Sequence, residues 1–538
     1  MAKPTPAPDA KPNLAGGVGR ASAIVFVSLL LSRILGLVRD AVMAGKFGSD
    51  ATTDAYRLAF QVPDLLFFLV AGGALSSAFI PVFSEYLNTD REEEAWKIFS
   101  VVATVMALVV LGFILFAGVF AEPLVHRFAP GKSPELVPLI ALMSRIVLPT
   151  QFAFFIGGLM FGTLYAKGVY AVPGLGPNLY NLGIIFGAVA LSTFFSPGVI
   201  GMSVGAVIGA VLGNLIVPLW AMRRIGARYR PSLDTSHPGV RKVFRLVLPV
   251  ILGLSLPGVY GMIMQGFGSY FPDGTNTVLE FSNKLMQAPL GIFGQSMALA
   301  VFPVLTQHFA LQRMDLYRDQ LGATLRTVLF LGIPISALMF MLAPEIVATM
   351  YLHGKFTEAA ALQTADCLRL FSVGVWAWCL HPVLMRGYYA LQNTVAPILY
   401  GTATTVLFIG LLLTLWRTPL GYLALPFSSS ICAILLVVAM IFGLSRKLGG
   451  IGIPRLVETG GKSTIAALAV VLIAAPVHLP AIHRAIWLHK GATLVVTLGV
   501  SLIAGSAYLL AAKALKMPET ATLDRAFAKL RTKVGRAA

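Results

Sequence analysis

AGGALSSAFIPVFSEY (71–86) and FGQSMALAVFPVLTQH (293–308) read as two copies of one segment. Gly72 meets Gly294, Ala78 meets Ala300, Pro81 meets Pro303 and Val82 meets Val304, at an offset of 222 (303 − 81). Ala121, Leu124 and Val125 meet Ala343, Ile346 and Val347 at the same offset. Arg145, Tyr165, Ala166 and Pro173 then meet Arg369, Tyr389, Ala390 and Pro397 at 224 (369 − 145). Chance matching of apolar sequence explains one such pair, but not a near-constant offset carried across three helices. The unit holds six helices. An even unit keeps its orientation when repeated, so the halves read as parallel repeats about an axis along the membrane normal, a frame for alternating access across a cleft.

Outward from that pair, fourteen apolar stretches are long enough to cross hydrocarbon, which takes about 20 residues. They are 22–46, 54–84, 97–120, 135–165, 175–195, 199–222, 243–268, 277–307, 322–343, 360–390, 395–416, 419–444, 463–479 and 488–514. Only 12% of the 538 residues are charged and 57% are hydrophobic. A soluble domain carries roughly 25% charged residues, so the deficit points to a bilayer as solvent. The expected fold is an all-α polytopic membrane protein of about 14 transmembrane helices: two parallel six-helix repeats plus two extra C-terminal helices.

The expected organisation is a disordered, Pro- and Ala-rich cytoplasmic tail (1–20), an N-terminal six-helix lobe (21–224), a basic cytoplasmic linker (225–242), a C-terminal six-helix lobe (243–445), helices 13 and 14 (446–515) and a basic cytoplasmic tail (516–538). The first apolar run holds Arg33, Arg39 and Asp40 and lacks an A-x-A cleavage site, so it reads as a retained helix, not a signal peptide. The net charge of +18 sits in loops and tails, among them Arg223, Arg224, Arg228, Arg230, Arg241 and Lys242. The positive-inside rule places those loops and both termini in the cytoplasm. This distribution argues against nucleic acid and for contacts with anionic membrane lipids.

A charge inside a span is costly, so it faces a cavity or another charge. Helix 1 carries Arg33, Arg39 and Asp40. Arg33 and Asp40 are seven apart, on one helical face, and Gly36 leaves room beside them. Helix 2 carries Asp54, Arg57 and Asp64, with Pro63 as its expected kink. Helix 8 carries Glu280 and Lys284, an i,i+4 pair in the favourable order. Arg145, Asp366, Arg369 and Arg386 lie in helices 4 and 10, Arg386 near a helix end where it reads as a cytoplasmic anchor. Two readings stand. In one, the charges line a water-filled cationic cavity for an anionic substrate, where an arginine fork suits pyrophosphate. In the other, Arg39–Asp40, Asp54–Arg57 and Glu280–Lys284 are neutralised pairs. Arg33 has no acid within one turn, which favours the cavity there.

Other chemistry is weak. Gly131-Lys132-Ser133 and Gly461-Lys462-Ser463 imitate the end of a phosphate-binding loop, but the first glycine that loop needs is His126 in one and Leu456 in the other. There is no His-Glu-x-x-His, no Gly-x-Ser-x-Gly and no Cys/His cluster. The chain reads as a non-enzyme without cofactor or metal, and Cys367, Cys379 and Cys432 read as small core residues.

SRILGLVRDAVMAGKFG (32–48) and TDAYRLAFQVPDLLFFLVAGGALSSAFIPVFSEY (53–86) resemble the MurJ (MviN) family of lipid II flippases, within the multidrug/oligosaccharidyl-lipid/polysaccharide exporter superfamily. APG (129–131), PNLYN (177–181), HGKFT (353–357) and GYYALQNTVAP (387–397) extend the resemblance over nearly the whole chain. It implies fourteen helices in a V-shaped pair of lobes, with helices 13 and 14 bordering a lipid-tail groove. It implies transfer of the undecaprenyl-pyrophosphate-linked disaccharide pentapeptide (lipid II) from the inner to the outer leaflet of the bacterial cytoplasmic (inner) membrane. By motif position the family's cavity arginines fall on Arg33 and Arg39, with Asp40 beside Arg39. Its helix-2 acid falls on Asp54, and its helix-8 arginine on Lys284, which keeps the charge but loses the fork. Phe67 and Phe68 stand where some members carry arginine, so Arg33, Arg39 and Lys284 are expected to carry more of the binding. Gln392-Asn393-Thr394 lacks the acid that the sodium site of some members would want. Candidate partners are lipid II, membrane lipids and cell-wall synthesis or division proteins. The alternatives are a flippase for another polyprenyl-linked oligosaccharide, a drug/cation antiporter of the same fold, which would place acids at its cation site, and a non-transporting cell-wall scaffold.

Overall fold

The computed structural model describes residues 14–69, 74–479, 487 and 490–521, apart from the side chains of 14–26, 67–69, 74–77, 247–259 and 490. The expectations for Phe67 and Phe68, for the first part of the N-terminal tail and for the tail beyond 521 lie outside what is described. Every regular element there is helical. In chain order these are α1 (Leu14–Phe47), α2 (Ala51–Ala59), α3 (Gln61–Leu69), α4 (Ala74–Asn88), α5 (Glu92–Val119), α6 (Ala121–Phe128), α7 (Val137–Val147), α8 (Pro149–Ala166), α9 (Ala171–Val189), α10 (Ile200–Val211), α11 (Val217–Arg224) and α12 (Pro238–Gly268). There follow α13 (Thr275–Pro289), α14 (Gln295–Ala310), α15 (Met314–Met341), α16 (Ala343–Tyr351), α17 (Glu358–Ser372), α18 (Val375–Ala390), α19 (Val395–Leu415), α20 (Ala424–Leu448), α21 (Ile453–Ala474) and α22 (Lys490–Ala514). The first of these begins at Leu14, inside the stretch read as a polar tail.

Nine helices among the described residues are long and apolar enough to cross a membrane, ten if α17 and α18, bent by 49°, form one span. The chain is an all-helical multi-pass membrane protein. The count falls below the fourteen apolar stretches partly because the expected second span is interrupted at Phe60 among the described residues. Pro63 explains that break. It has no N–H to give to the carbonyl four residues back, that of Ala59, and the helix interrupts at Phe60. Ser144 Oγ donates to that carbonyl instead, at 2.8 Å. The expected kink is therefore real, but it sits one turn before the proline.

Two compact units are present. The first holds the chain up to Met43, Ala59–Phe128 and Pro134–Ser255; the second holds Ala44–Leu58, Ala129–Ser133 and the chain from Leu256. In the first, Phe79, Phe83, Trp96 and Phe99 form an aromatic core, with Phe79 stacked on Phe83 and Trp96 edge-on to Phe83. There α9 and α10 pack through Gly183, Gly187, Gly205 and Gly209, and a Cβ on Gly183 would come within 2.5 Å of the Gly205 carbonyl. Small residues at such crossings let two membrane helices approach closely. In the second unit α15 packs on α18 and α21, and α21 on α22. Tyr508 on α22 donates its hydroxyl to the Phe330 carbonyl at 2.6 Å. All three cysteines are buried and free, as a core role requires.

Element boundaries recur at the spacing of the sequence repeat. Helices α5 and α6 begin at 92 and 121; α15 and α16 begin at 314 and 343. Both α5 and α15 have 28 residues. Asp90 and Gln312, which precede them, both take a left-handed φ of +56°, the usual way of ending a helix without continuing it.

Candidate functional site

In the first unit the site is built on α1. Arg33 is exposed and makes no hydrogen bond or ion pair among the described residues. Arg39 is held on two sides. Its Nε and Nη2 lie 3.1 Å from Asp40 Oδ1, and its Nη1 donates to Asn181 Oδ1 at 3.0 Å. Asp40 is almost wholly buried, at 1% exposure. Asn181 comes from PNLYN on α9 and donates its other end to the Ser32 carbonyl at 3.2 Å. Three residues earlier in the same motif, Asn178 donates to the Ser28 carbonyl at 3.3 Å. Both asparagines thus fasten α9 to α1, and Asn181 also aims the Arg39 fork. The two asparagines of PNLYN, polar groups inside an apolar helix, are the signal that the sequence carries for this contact.

In the second unit Asp54 is fully buried and accepts four hydrogen bonds. The donors are Lys132 Nζ at 2.7 Å, Gly274 N at 2.9 Å, Thr277 N at 2.8 Å and Thr277 Oγ1 at 2.8 Å. Gly274 is the N-cap of α13, in a left-handed conformation at φ +90°, and makes no side-chain cap. Having no side chain, it leaves the first-turn amides to a partner from elsewhere in the chain. Asp54 acts as that cap, and the helix N-terminus favours its negative charge. Lys132, 2% exposed, also reaches the solvent-facing Asp273 at 3.0 Å. Gly131 N donates to Ser269 Oγ at 3.1 Å, tying the same loop to the end of α12.

The expected pair Asp54–Arg57 does not form. The ion-pair partner of Asp54 is Lys132, from the Gly-Lys-Ser string that lacks the first glycine of a phosphate loop. The Arg57 guanidinium instead lies 5.1 Å from the Phe281 ring centroid, and Phe281 stacks on Tyr351. An i,i+3 rule could not find Lys132, 78 residues away.

Lys284 pairs with Glu280 at 3.2 Å on α13, as their spacing predicts. The pair is part of a longer chain. Gln265 Nε2 on α12 donates to Glu280 Oε2 at 3.2 Å, and Asn276 Nδ2 donates to Gln265 Oε1 at 2.7 Å. The Arg369–Asp366 pair closes at 3.0 Å, Arg145 reaches the Gly118 carbonyl and Glu122, and Arg386 lies over Phe302.

A cavity of about 490 Å³ lies apart from these residues, lined among others by Glu93, Trp96, Lys97, Arg228 and Arg230. Its charges are largely spoken for: Arg228 reaches Glu93 at 3.4 Å, and Lys97 reaches Asp234 at 2.9 Å. The Ser236 hydroxyl and Lys97 hold the Asp234 carboxyl below the usual carboxylate range. Among the described residues no group of three or more His, Cys, Asp or Glu could hold a metal ion.

Solved structures share the fold. An inward-closed lipid II flippase MurJ matches at a TM-score of 0.76 and 22% identity, over 92% of this chain and 98% of that one. An inward-facing multidrug resistance MATE transporter of the MOP superfamily matches at 0.63 and 14%, over 79% and 98%. The chain shares its fold with these MOP-type structures. The family model for lipid II flippase MurJ matches residues 43–499, and the chain belongs to that family. A probable lipid II flippase MurJ of Vibrio cholerae is 30% identical over 441 residues, 79% of this chain and 82% of that protein. The lipid II flippase MurJ of Burkholderia cenocepacia is 27% identical over 437 residues, 80% and 84% respectively.

Proposed function

We propose that the chain carries lipid II from the inner to the outer leaflet of the bacterial cytoplasmic membrane by alternating access, with Arg33, Arg39 and Lys284 each engaging the pyrophosphate during the cycle. The observation that carries this reading is the arginine pair of α1 in a chain of this family. Arg39 is oriented by Asp40 and Asn181, and Arg33 is exposed with no internal partner among the described residues. A guanidinium on a membrane helix is costly to keep, and a bidentate anion is the ligand it fits. Asp40 serves as the orienting group for Arg39, not as a ligand.

Asp54 takes a different part from the one its motif position implied. A buried carboxylate with four donors has nothing left to offer a substrate. It is a latch on the first turn of α13, and the cycle opens it. An antiporter reading finds little support, because Asp40 and Asp54 are each matched to a cation.

Fourteen spans, two parallel six-helix repeats and helices 13 and 14 as a lipid-tail border complete the proposal, with both termini cytoplasmic. The recurrence of helix boundaries at the repeat spacing supports the repeats. The test is a flipping assay with lipid II in reconstituted vesicles. The wild-type protein moves the lipid, Arg33→Ala and Lys284→Met slow it strongly, and equal rates for all three and for empty vesicles would remove the proposal.

A further inference from the structure

Asn276 stands between Gly274 and Thr277, the two residues that hold Asp54, and it is wholly buried. Its Nδ2 donates both to the Gln265 carbonyl, at 2.8 Å, and to Gln265 Oε1, at 2.7 Å. That choice fixes the Gln265 amide. With its oxygen taken by Asn276, its nitrogen is the end turned to Glu280, at 3.2 Å. Glu280 then has one oxygen on Gln265 and the other on Lys284 Nζ, at 3.2 Å. Donors run from Asn276 on the first turn of α13 through Gln265 on α12 to Glu280, which also accepts from Lys284 on the third turn of α13.

We infer that Gln265 couples the Asp54 latch to the availability of Lys284, with Glu280 as the counter-charge that an anionic substrate must displace. The inference rests on the reading of Lys284 as a pyrophosphate-binding cation. While Asp54 holds Gly274 and Thr277, Asn276 keeps Gln265 in place, Gln265 keeps Glu280 in place, and Glu280 occupies Lys284. Release of the first turn frees Gln265, loosens Glu280 and presents Lys284. Glu280 is thus a positioning residue. Its carboxylate repels the same phosphate oxygens that Lys284 attracts, so binding and latch opening favour each other, as linkage requires.

The experiment measures binding of undecaprenyl pyrophosphate to the purified full-length protein in detergent, for the wild type, Glu280→Gln, Thr277→Val, the two combined, and Lys284→Met. Both coupling variants are conservative: Glu280 is partly exposed, and Thr277→Val keeps the shape and the backbone bond to Asp54. Glu280→Gln removes a partly exposed counter-charge and tightens binding about tenfold. Thr277→Val weakens the latch and tightens binding about threefold, and it adds nothing once Glu280 is glutamine. Gln265→Met reproduces part of the Glu280→Gln effect. Additive effects of Thr277→Val and Glu280→Gln, or weaker binding by Glu280→Gln, would overturn the coupling. Binding that does not depend on Lys284 at all would overturn the substrate reading beneath it, which is a different result.

Discussion

Replacing Lys132 by Met leaves the Asp54 carboxylate buried without its ion-pair partner. Lys132 and Asp54 are 2% and 0% exposed at the side chain. Removing one partner of such a pair costs about 3–5 kcal/mol. Asp54 keeps its bonds to Gly274 N, Thr277 N and Thr277 Oγ1, which places the cost at the lower end, about 3 kcal/mol. Asp273 is 58% exposed and stays hydrated, so losing its contact adds at most about 1 kcal/mol. The carboxylate regains water when the latch opens, so the cost falls on the closed state. Opening therefore becomes easier by about 3 kcal/mol, and the Gly274 and Thr277 amides exchange roughly a hundredfold faster. Hydrogen–deuterium exchange on a peptide spanning 272–280 reads this directly. Adding Asp54→Asn to Lys132→Met removes the stranded charge, so the double variant exchanges more slowly than the two single effects together predict. Unchanged exchange in Lys132→Met, or strict additivity, would refute the latch.

Arg33→Ala abolishes complementation of a depleted strain while the protein still reaches the membrane, as fractionation and blotting check; full growth would take Arg33 out of the mechanism. Asn181→Leu frees the Arg39 fork from one side and costs about 1–3 kcal/mol of substrate binding, read as weaker binding of undecaprenyl pyrophosphate with normal expression. Ser144→Ala strands the Ala59 carbonyl that Pro63 cannot serve, and it destabilises the protein by about 1–3 kcal/mol, visible as a lower melting temperature. Gly183→Leu forces α9 and α10 apart and lowers the yield of folded protein, whereas Gly36→Ala, with nothing within 4 Å of the added carbon, leaves it unchanged.

Local patterns in the sequence made the helical, polytopic character legible, because hydropathy needs no knowledge of contacts. The Arg39–Asp40 and Glu280–Lys284 pairs were legible for the same reason: both partners lie within one turn. The partner of Asp54 was not. Lys132 and Gly274 come from two distant loops, and half of the carboxylate's donors are backbone amides, which every residue but proline carries. A glycine cap without a side chain is equally silent in sequence, because what matters is the empty position it leaves. Pro63 announced a kink but not its capping by Ser144. The asparagines of PNLYN were visible as letters, yet only the structure gives them their task of fastening α9 to α1.

The most direct measurement is labelling of externally accessible lipid II in cells depleted of this protein and lacking any second flippase. The account predicts that the outer-leaflet pool falls while lipid II accumulates inside, and that wild-type protein, but not Arg33→Ala, restores it. An outer-leaflet pool that is unchanged on depletion would contradict the claim that this chain moves the lipid.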